Sequence, residues 1–326
     1  MKTYYLLVIA SWLARWIPPR TGYWLCSFVG GIVFYVKPSI RRAIRDNMRH
    51  VLPKSTMRQR RIIARRVIRN NFKNYYDLIR IPHLSKEDVE RMVADVRGIE
   101  NLDAAFARGK GVIIISGHIG NFNIVPQIAK IRGYPVVAIA EDIKPQKLYD
   151  FLNNLRMRFG LRFINANSSQ VRTIYKLLRD NGGLILAADK DVTESREPVL
   201  FFDAIADLPP GPVALALRLD ATLIAAYSVR LRDNTSVLHI YPPMELERTG
   251  DKELDKQVNL RKVAMVLEEM IRKAPDQWAV LQRVWDREDP AGAPTGIERE
   301  AEKPQALRLP IEPIPSEERS PSSVIP

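Results

Sequence analysis

A single histidine stands where the sequence could place acid–base chemistry. Residues 112–115 form a short apolar run, rich in β-branched side chains, that predicts a buried parallel strand. The run stops at Ser116 and Gly117, and His118 follows at the expected transition from strand to helix. Side chains at that position in α/β proteins often bind ligands or take part in catalysis. The ordinary pKa of a histidine also suits proton transfer near neutral pH.

The residues around His118 would leave room for a substrate. Gly117 and Gly120 flank the histidine and let another molecule approach the backbone closely. A helix is predicted to follow, with Asn121 as its N-terminal cap and Asn123 on its first turn. From there the Asn123 amide could turn back toward the imidazole. The alternative interpretation is a buried histidine that is hydrogen-bonded only to backbone.

Predicted strands and helices alternate through most of the chain. This alternation favours an α/β fold with a mixed, largely parallel sheet flanked by helices. The last strand is expected to lie antiparallel at an edge of the sheet. Residues 85–110 indicate a capped helix and a surface connection into a second helix. Further strands are predicted at 136–140, 161–164, 184–188, 222–229 and 237–241, and helices at 121–130, 145–159, 171–181, 213–219 and 254–273.

Charged residues near the predicted strand ends could complete a site. Glu141, Asp189 and Asp191 each follow a predicted strand, whereas Arg156 lies on an intervening helix. The carboxyl ends of parallel strands share one edge of a sheet, so Glu141 and Asp189 are expected on the same edge as His118. Judged on composition alone, Glu141 and Arg156 are more often plain surface charges.

The N-terminal region combines apolar, aromatic and basic segments. Two apolar runs, at residues 4–16 and 21–36, are rich in Trp and Tyr, and neither reaches the roughly 20 residues of a membrane span. Residues 39–69 contain eleven Lys and Arg but a single acidic residue, Asp46. Aromatic side chains and clustered cations favour an anionic bilayer surface, so we expect membrane-associated helices. Ordinary core helices with a solvated charged face, or a membrane hairpin, are the alternatives.

The composition limits the classes of protein and of ligand. The chain has 326 residues, a net charge of +13 and a pI near 9.8, which favours polyanionic partners such as membranes or nucleic acids. Cys26 is the only cysteine, which excludes an intrachain disulfide. The four histidines are scattered and no Cys/His cluster has metal-ligand spacing, so no bound metal is expected. No nucleic-acid-binding motif is present, which disfavours the alternative of a basic nucleic-acid-binding protein.

Several motifs resemble those of glycerolipid-type acyltransferases. The segment from Ser116 to Asn123, Ser-Gly-His-Ile-Gly-Asn-Phe-Asn, is similar to their His-x-x-x-x-Asp/Glu block. The pattern is most similar to the branch of bacterial lipid A acyltransferases and phosphatidylinositol mannoside acyltransferases. Glu141 and Arg156 lie at matching distances after the histidine, and Ala-Ala-Asp189-Lys-Asp resembles the family's Ala-Asp-x-Asp block. Phe-Phe at 201–202, Pro-Asp-Gln-Trp at 275–278 and Arg-Val-Trp at 283–285 continue a resemblance that runs from about residue 5 to 286.

The resemblance implies a reaction and its residues. The expected reaction moves a fatty acyl chain from acyl-CoA or acyl carrier protein to a hydroxyl of a membrane glycolipid or lysophospholipid. His118 would act as the general base, and no cofactor would be bound. Phe201 and Phe202 would line an acyl groove, or else belong to the plain core. Substrate-binding positions would be Gly120, Asn121, Glu141, Arg156, Asp189 and Asp191.

The resemblance also implies an architecture and a place in the cell. Residues 1–80 would form membrane-associated helices, and residues 81–288 the acyltransferase-like α/β domain. Residues 289–326 are rich in Pro, Glu and Ser and are expected to be a disordered tail. We expect a monomer on the cytoplasmic face of the inner membrane, either peripheral or anchored by its N-terminus. Its partners would be membrane lipids and acyl carrier protein.

One position departs from the family pattern, because Asn123 stands where the block has a carboxylate. An Asn can orient an imidazole, as in papain-like enzymes, but it cannot stabilise the imidazolium by charge. Three interpretations follow. Asn123 orients the base in an active enzyme; a second carboxylate, Glu141 or Asp189, replaces the missing one; or the chain is a weak or inactive relative that binds lipid.

Overall fold

A mixed seven-stranded sheet lies at the centre of the protein. The computed structural model describes residues 2–140, 144–165, 170–190 and 196–285. The strands are β1 (Val93–Arg97), β2 (Val112–Ser116), β3 (Val136–Ala140), β4 (Arg162–Asn165), β5 (Gly183–Ala187), β6 (Glu197–Phe201), β7 (Ala204–Leu208), β8 (Thr222–Arg230) and β9 (Ser236–Ile240). The large sheet has the order β1-β9-β8-β2-β5-β3-β4, and β6 and β7 form a separate antiparallel hairpin.

The pairing of the strands makes the large sheet mostly parallel. Among its described strands the antiparallel pair is β8 with β9, and the other neighbours run parallel. The predicted α/β fold with a mixed, largely parallel sheet is therefore confirmed. The prediction that the last strand forms an edge is wrong, because β1 pairs with the outer side of β9. Strand β1 was not predicted, because it includes the charged residues Asp95 and Arg97 and all five of its residues are half-buried or exposed.

Helices flank this sheet and enclose its apolar faces. The helices α6 and α7 contact one face of the sheet, while α9 contacts β5 and α10 contacts β2 and β8. Leu102 of α6 packs in a cluster with Ile114, Ala138, Ile224 and Ile240 from four strands. The helices are α1 (Lys2–Ala14), α2 (Pro19–Val36), α3 (Pro38–Val51), α4 (Met57–Arg80), α5 (Lys86–Arg91), α6 (Ile99–Ala107), α7 (Val125–Ile131), α8 (Gln146–Arg156), α9 (Val171–Arg179), α10 (Gly211–Leu219) and α11 (Lys252–Lys273).

The long helix α4 holds the other N-terminal helices together. A capping box of Thr56 and Gln59 starts it, so its first backbone N–H groups are satisfied. Helix α2 packs closely against α4, because Gly30 carries no side chain where a Cβ would lie 2.9 Å from the Arg69 Cα. Helices α1, α3 and α8 also contact α4. Through these contacts α4 connects the N-terminal helices to the rest of the protein.

The segment after β2 differs from its prediction. The predicted helix at 121–130 begins only at Val125, and Ile124 rather than Asn121 stands at its N-terminal cap. Pro126 lies in the first turn of α7, where its missing N–H costs no helical hydrogen bond. Residues 117–124 therefore form an irregular connection, and this connection carries His118.

The structure also bears on the predicted membrane region. Within the described residues, no single helix has both the length and the apolarity of a membrane span, although α2 and α3 meet those limits as a pair bent by 94°. The predicted tail at 289–326, Glu141 and Asp191 lie outside the described residues. The predicted domain boundaries stay predictions.

Candidate active site

Two neighbouring parallel strands bring His118 and Asp189 together. Ser116 of β2 pairs with Ala187 of β5, so each of the two side chains follows its strand by two residues at the same sheet edge. The Nδ1 atom of His118 lies 2.8 Å from Oδ1 of Asp189, and the His118 backbone N–H donates to Oδ2 of Asp189 at 2.8 Å. The sequence analysis had expected these residues on one edge, and the structure joins them directly.

The Asp189 carboxylate is buried, and both of its oxygens take part in hydrogen bonds. Besides its two bonds to His118, it accepts a hydrogen bond from the Trp278 indole N–H at 2.8 Å. Burial alone would raise the pKa of Asp189, but the charge and hydrogen bonds of His118 and the bond from Trp278 outweigh it and lower the pKa. A carboxylate held ionised fixes the imidazole with its proton on Nδ1, which makes Nε2 the basic nitrogen.

A segment late in the chain closes over this pair. The Ala279 N–H donates to the His118 carbonyl oxygen at 2.8 Å, and Ile119 forms an isolated antiparallel bridge with Trp278. Trp278 is itself buried and supplies the third bond to Asp189. In the sequence, Pro-Asp-Gln-Trp at 275–278 is recognisable only as a part of the family pattern, and nothing local in it indicates a contact with Asp189.

The side chain of Asn123 is hydrogen-bonded to Arg156 and Asn74, whereas the imidazole of His118 is bonded to Asp189. Its Oδ1 accepts a hydrogen bond from Nη2 of Arg156 at 3.3 Å, and its Nδ2 donates to the Asn74 carbonyl oxygen at 3.3 Å. The interpretation of Asn123 as the group that orients the base is therefore corrected, because Asp189 takes the Nδ1 position. The structure instead brings Asn123 and Arg156 together, both of which had been predicted as site residues.

Gly120 and Asn121 hold the connection after β2 in place through contacts with β8 and α4. Gly120 has a φ of 63°, and a Cβ there would lie 2.1 Å from the Ser228 carbonyl oxygen. The Asn121 backbone N–H donates to Oγ of Ser228 at 2.9 Å, and its fully buried side chain donates to Oδ2 of Asp77 at 3.0 Å. Their role in substrate binding stays a prediction, and the contacts described here fix their position in the fold.

A buried polar network supports the same connection from behind. Asp77 accepts hydrogen bonds from the Tyr23 hydroxyl at 2.5 Å and from Nη2 of Arg230 at 2.7 Å. The Arg230 guanidinium also donates to Oδ1 of Asn74 at 2.6 Å, and Nδ2 of Asn74 donates to the Gly120 carbonyl oxygen at 2.8 Å. Sequence analysis missed this network, because its charged members, Asp77 and Arg230, are 153 residues apart in the chain.

A cavity of about 460 Å³ opens beside His118. Its lining is largely apolar, with side chains from the sheet and from α6 and α7, and it also includes polar side chains. Phe201 and Phe202 are buried against Trp285, with ring centroids 5.6 and 6.0 Å from it, and so belong to the core rather than to the cavity lining. The apolar lining includes Leu102, Ile114, Val125, Ala138, Ile224 and Leu238, and the polar lining includes Tyr75, Ser116, Asn123, Arg156, Lys190 and Ser228.

The arrangement can transfer a proton at His118 beside a largely apolar cavity. An imidazole with an ionised carboxylate on one nitrogen can accept a proton at the other. Within the described residues, no group of three or more His, Cys, Asp or Glu side chains could hold a metal ion. The site thus combines a carboxylate-bound imidazole, a largely apolar cavity and a guanidinium, Arg156.

Two mycobacterial proteins are similar in sequence to part of this chain. A phosphatidylinositol mannoside acyltransferase of Mycobacterium tuberculosis (strain ATCC 25618 / H37Rv) is 25% identical over 213 residues, which cover 64% of this chain and 66% of that protein. The protein of the same description from Mycolicibacterium smegmatis is 26% identical over 195 residues, covering 59% and 62%. The match thus spans slightly less than two thirds of these relatives' own length.

The family comparison covers nearly all of the described chain. Residues 1–287 match the family described as bacterial lipid A biosynthesis acyltransferase. The matched range includes the His118–Asp189 pair, the cavity and the segment that closes over them. The chain belongs to the bacterial lipid A biosynthesis acyltransferase family.

Proposed function

We propose that this protein transfers a fatty acyl chain from a thioester donor, acyl-CoA or acyl carrier protein, to a hydroxyl of a membrane glycolipid or lysophospholipid. The observation that carries the proposal is the His118–Asp189 pair, joined at 2.8 Å, with His118 in the lining of a largely apolar cavity. The printed description of the mycobacterial relatives, phosphatidylinositol mannoside acyltransferase, supports a glycolipid as the class of acceptor.

In the proposed mechanism His118 is the general base. Its Nε2 takes the proton of the acceptor hydroxyl as the oxygen attacks the thioester carbonyl. Asp189 keeps the other imidazole proton on Nδ1 and stabilises the imidazolium by charge, without being protonated itself. When the tetrahedral intermediate collapses, the carbon–sulfur bond breaks and the imidazolium returns its proton to the departing thiolate. No covalent acyl-enzyme is needed.

The cavity beside His118 would hold the acyl chain. Much of its lining is apolar, with residues such as Ile114 and Ala138 from the sheet. Each methylene group that leaves water contributes about 0.8 kcal/mol, so a chain of several carbons would be held firmly. A buried chain also keeps the thioester carbonyl next to His118, since the cavity opens beside that residue.

We further propose that helices α1 and α2 dock onto the cytoplasmic face of the inner membrane. Trp12 of α1, Trp16 in the turn after it, and Trp24 of α2 are exposed, at 56, 70 and 66% of their surface, and Phe28 of α2 is 54% exposed. Such aromatic side chains favour the depth of the lipid headgroups. The exposed basic residues of α4, Arg58, Arg61 and Arg66, would add attraction to anionic lipids.

The experiment that tests the proposed function is an acyl-transfer assay with membrane-bound protein. Labelled acyl-CoA and acyl carrier protein would be offered as donors, with a total bacterial lipid extract as the source of acceptors. We expect labelled lipid with the wild type and at least a 1000-fold lower rate with His118→Ala, because the base is lost. Circular dichroism would check that the variant is folded.

The control is His83→Ala, which removes a histidine that is exposed and bonds only to the Ser11 carbonyl oxygen among its described contacts. This variant should keep the wild-type rate. Unchanged turnover in His118→Ala would remove the catalytic assignment. A wild type that transfers nothing, yet still binds lipid vesicles, would instead favour a lipid-binding relative without catalysis.

A further inference from the structure

The closing segment, residues 278–285, contacts both the His118–Asp189 pair and the cavity. Its first two residues are hydrogen-bonded to that pair, and residues 279–282 line the cavity. After its first residue the segment belongs to no helix or strand. An irregular segment has no hydrogen-bond ladder of its own, so it keeps one conformation only where other elements bind its backbone.

Asn47 of α3 binds the backbone of the closing segment on both sides of Arg283. Its Nδ2 donates to the Gln282 carbonyl oxygen at 2.8 Å, and its Oδ1 accepts from the Val284 N–H at 3.1 Å. The Asn47 side chain is only 1% exposed, so water competes poorly for its bonds. One amide thus supplies the donor and the acceptor that a neighbouring strand would otherwise provide.

The two ends of the closing segment are held by other elements. Just before it, the Gln277 side chain exchanges two hydrogen bonds with the backbone of Arg230 on β8, at 2.7 and 2.9 Å. At its far end, the Trp285 indole N–H donates to the Phe201 carbonyl oxygen at 3.2 Å. Between these ends, the described hydrogen bonds to the backbone of residues 280–284 are the two from Asn47.

The other polar contact between α3 and the closing segment is weaker. Asp46 accepts from Nη2 of Arg283 at 2.9 Å, but the arginine side chain is 52% exposed. An ion pair that is open to water contributes little to stability. The buried amide of Asn47 is therefore the contact from α3 on which the position of the segment depends.

We infer that Asn47 is a positioning residue for the proposed reaction, and that it keeps Trp278 and Ala279 on the His118–Asp189 pair by holding the closing segment. This inference rests on the proposed function for its effect on turnover. Its effect on the segment itself does not depend on which reaction the site performs. The amide is remote from the reacting atoms and acts only through the segment.

Loss of the Asn47 amide would remove the protein partners of the Gln282 carbonyl oxygen and the Val284 N–H. The segment would regain those bonds by moving its backbone toward water, since an unpaired backbone group is costly. Such movement would carry the Trp278 indole away from Asp189 for part of the time. The carboxylate that orients the imidazole would then lack its third donor.

The test measures hydrogen exchange and turnover in Asn47→Ala. Protein labelled with 15N-tryptophan would show the five indole N–H groups, and Trp278→Phe would assign the signal of Trp278. We expect exchange at that indole, and at the amides of residues 279–285, to become at least about ten-fold faster. We also expect kcat to fall about ten-fold, because a small displacement at a site lowers turnover strongly.

The matched control is Asn259→Ala on α11. Asn259 is also fully buried, and its amide donates to the Glu247 carbonyl oxygen and accepts from the Glu247 N–H, each at 2.9 Å. This variant should lose a similar amount of stability while keeping the wild-type kcat and the wild-type exchange at the Trp278 indole. Asn47→Ser, whose hydroxyl can replace one of the two bonds, should show the effects of Asn47→Ala to a smaller degree and tests the inference even where the alanine variant does not fold.

A double-mutant cycle tests whether Asn47 acts through Trp278. In Trp278→Phe the indole N–H is already absent, so adding Asn47→Ala should lower kcat by less than about three-fold further. Residues that act through one another are non-additive in this way, whereas independent residues would add their effects.

Three results would overturn the inference. The first is unchanged exchange at the Trp278 indole in both variants of Asn47. The second is an equal acceleration of exchange in the amides of β2 and of the closing segment, which would make Asn47 a residue of general stability. The third is a loss of kcat that is as large in Trp278→Phe as in the wild type. A protein that shows the expected exchange but transfers no acyl chain would contradict the proposed function alone.

Discussion

At the scale of single residues, the site depends on one buried carboxylate. Asp189 accepts from the His118 ring, from the His118 backbone and from the Trp278 indole, so its two oxygens hold three donors. The low pKa of Asp189 follows from those partners, and it keeps the group ionised near neutral pH. The imidazole is thereby held in one tautomer and one orientation before any substrate arrives.

We predict that Asp189→Asn lowers kcat by about 1000-fold or more and leaves KM within a few-fold of the wild-type value. An amide keeps the shape of the carboxylate but permits the wrong imidazole tautomer and cannot stabilise the imidazolium, the effect seen in serine proteases. Steady-state acyl transfer at saturating donor would measure it. Asp180→Asn, at an exposed residue that pairs with Lys176, is the control. A loss of less than ten-fold would show that the carboxylate does not support the base.

At the scale of elements, the connection after β2 is positioned by its close contacts with strand β8 and helix α4. Gly120 lies against the backbone of β8 at Ser228, and Asn74 of α4 donates to the Gly120 carbonyl oxygen at 2.8 Å. The connection after β2 is thus clamped between a strand and a helix from distant parts of the chain. His118 precedes this clamp by two residues and depends on it for its position.

Gly120→Ala should therefore destabilise the fold and impair transfer. A Cβ at this position would meet the Ser228 carbonyl oxygen at 2.1 Å, and the φ of 63° adds backbone strain. We expect a loss of roughly 2–4 kcal/mol in the free energy of unfolding, measured with urea, and a lower kcat.

The variant Gly109→Ala separates the cost of backbone strain from the cost of the contact between the added Cβ and β8. Gly109 has a φ of 70°, similar to that of Gly120, but no atom lies within 4 Å of its added Cβ. This variant should lose only about 1 kcal/mol and keep its kcat. Equal effects of the two substitutions would mean that backbone strain, not the contact with β8, makes glycine necessary at position 120.

The elements also show what the sequence could and could not predict. The apolar runs that became β2, β3, β5 and β8 were recognisable, because strands buried on both faces are continuously apolar. The half-exposed β1 has no such run, and it was missed. For the site, position after a strand suggested both Glu141 and Asp189 as partners of His118. Choosing between them required the β2–β5 register, which only the folded chain provides. The Asp77–Arg230 pair carries no local pattern at all.

At the scale of the whole molecule, α1, α2 and the turn between them carry large aromatic side chains that are exposed instead of packed in the core. Trp24 and Phe28 stack with ring centroids 5.7 Å apart while both remain largely exposed. Arg15 lies over the rings of Trp12 and Trp16 at 5.1 and 4.8 Å. Indole rings combined with a cation suit an interface that is apolar on one side and anionic on the other.

We predict that the double substitution Trp16→Ser with Trp24→Ser weakens vesicle binding at least about ten-fold. Each lost indole removes roughly 1–2 kcal/mol of apolar transfer to the bilayer. Sedimentation with vesicles of phosphatidylglycerol and phosphatidylcholine would measure the partition, and salt should weaken the binding to the anionic vesicles.

The control for this prediction is Leu254→Ser, which removes an exposed apolar side chain from α11, outside the proposed docking surface. Its vesicle binding should equal that of the wild type. If the double Trp variant bound as tightly as the wild type, the surface of α1 and α2 would not be the docking surface.

The segment that closes over the active site also sets the timing of its assembly during synthesis. The Trp278 indole and the Ala279 N–H reach back to Asp189 and His118, although the ribosome makes them more than 80 residues after Asp189. A nascent chain that has emerged only as far as α11 has its sheet strands but lacks the third donor to Asp189. The His118–Asp189 pair therefore gains all of these contacts only when translation has passed Ala279, and a nascent chain that ends within α11 holds the histidine and the carboxylate without the closing segment.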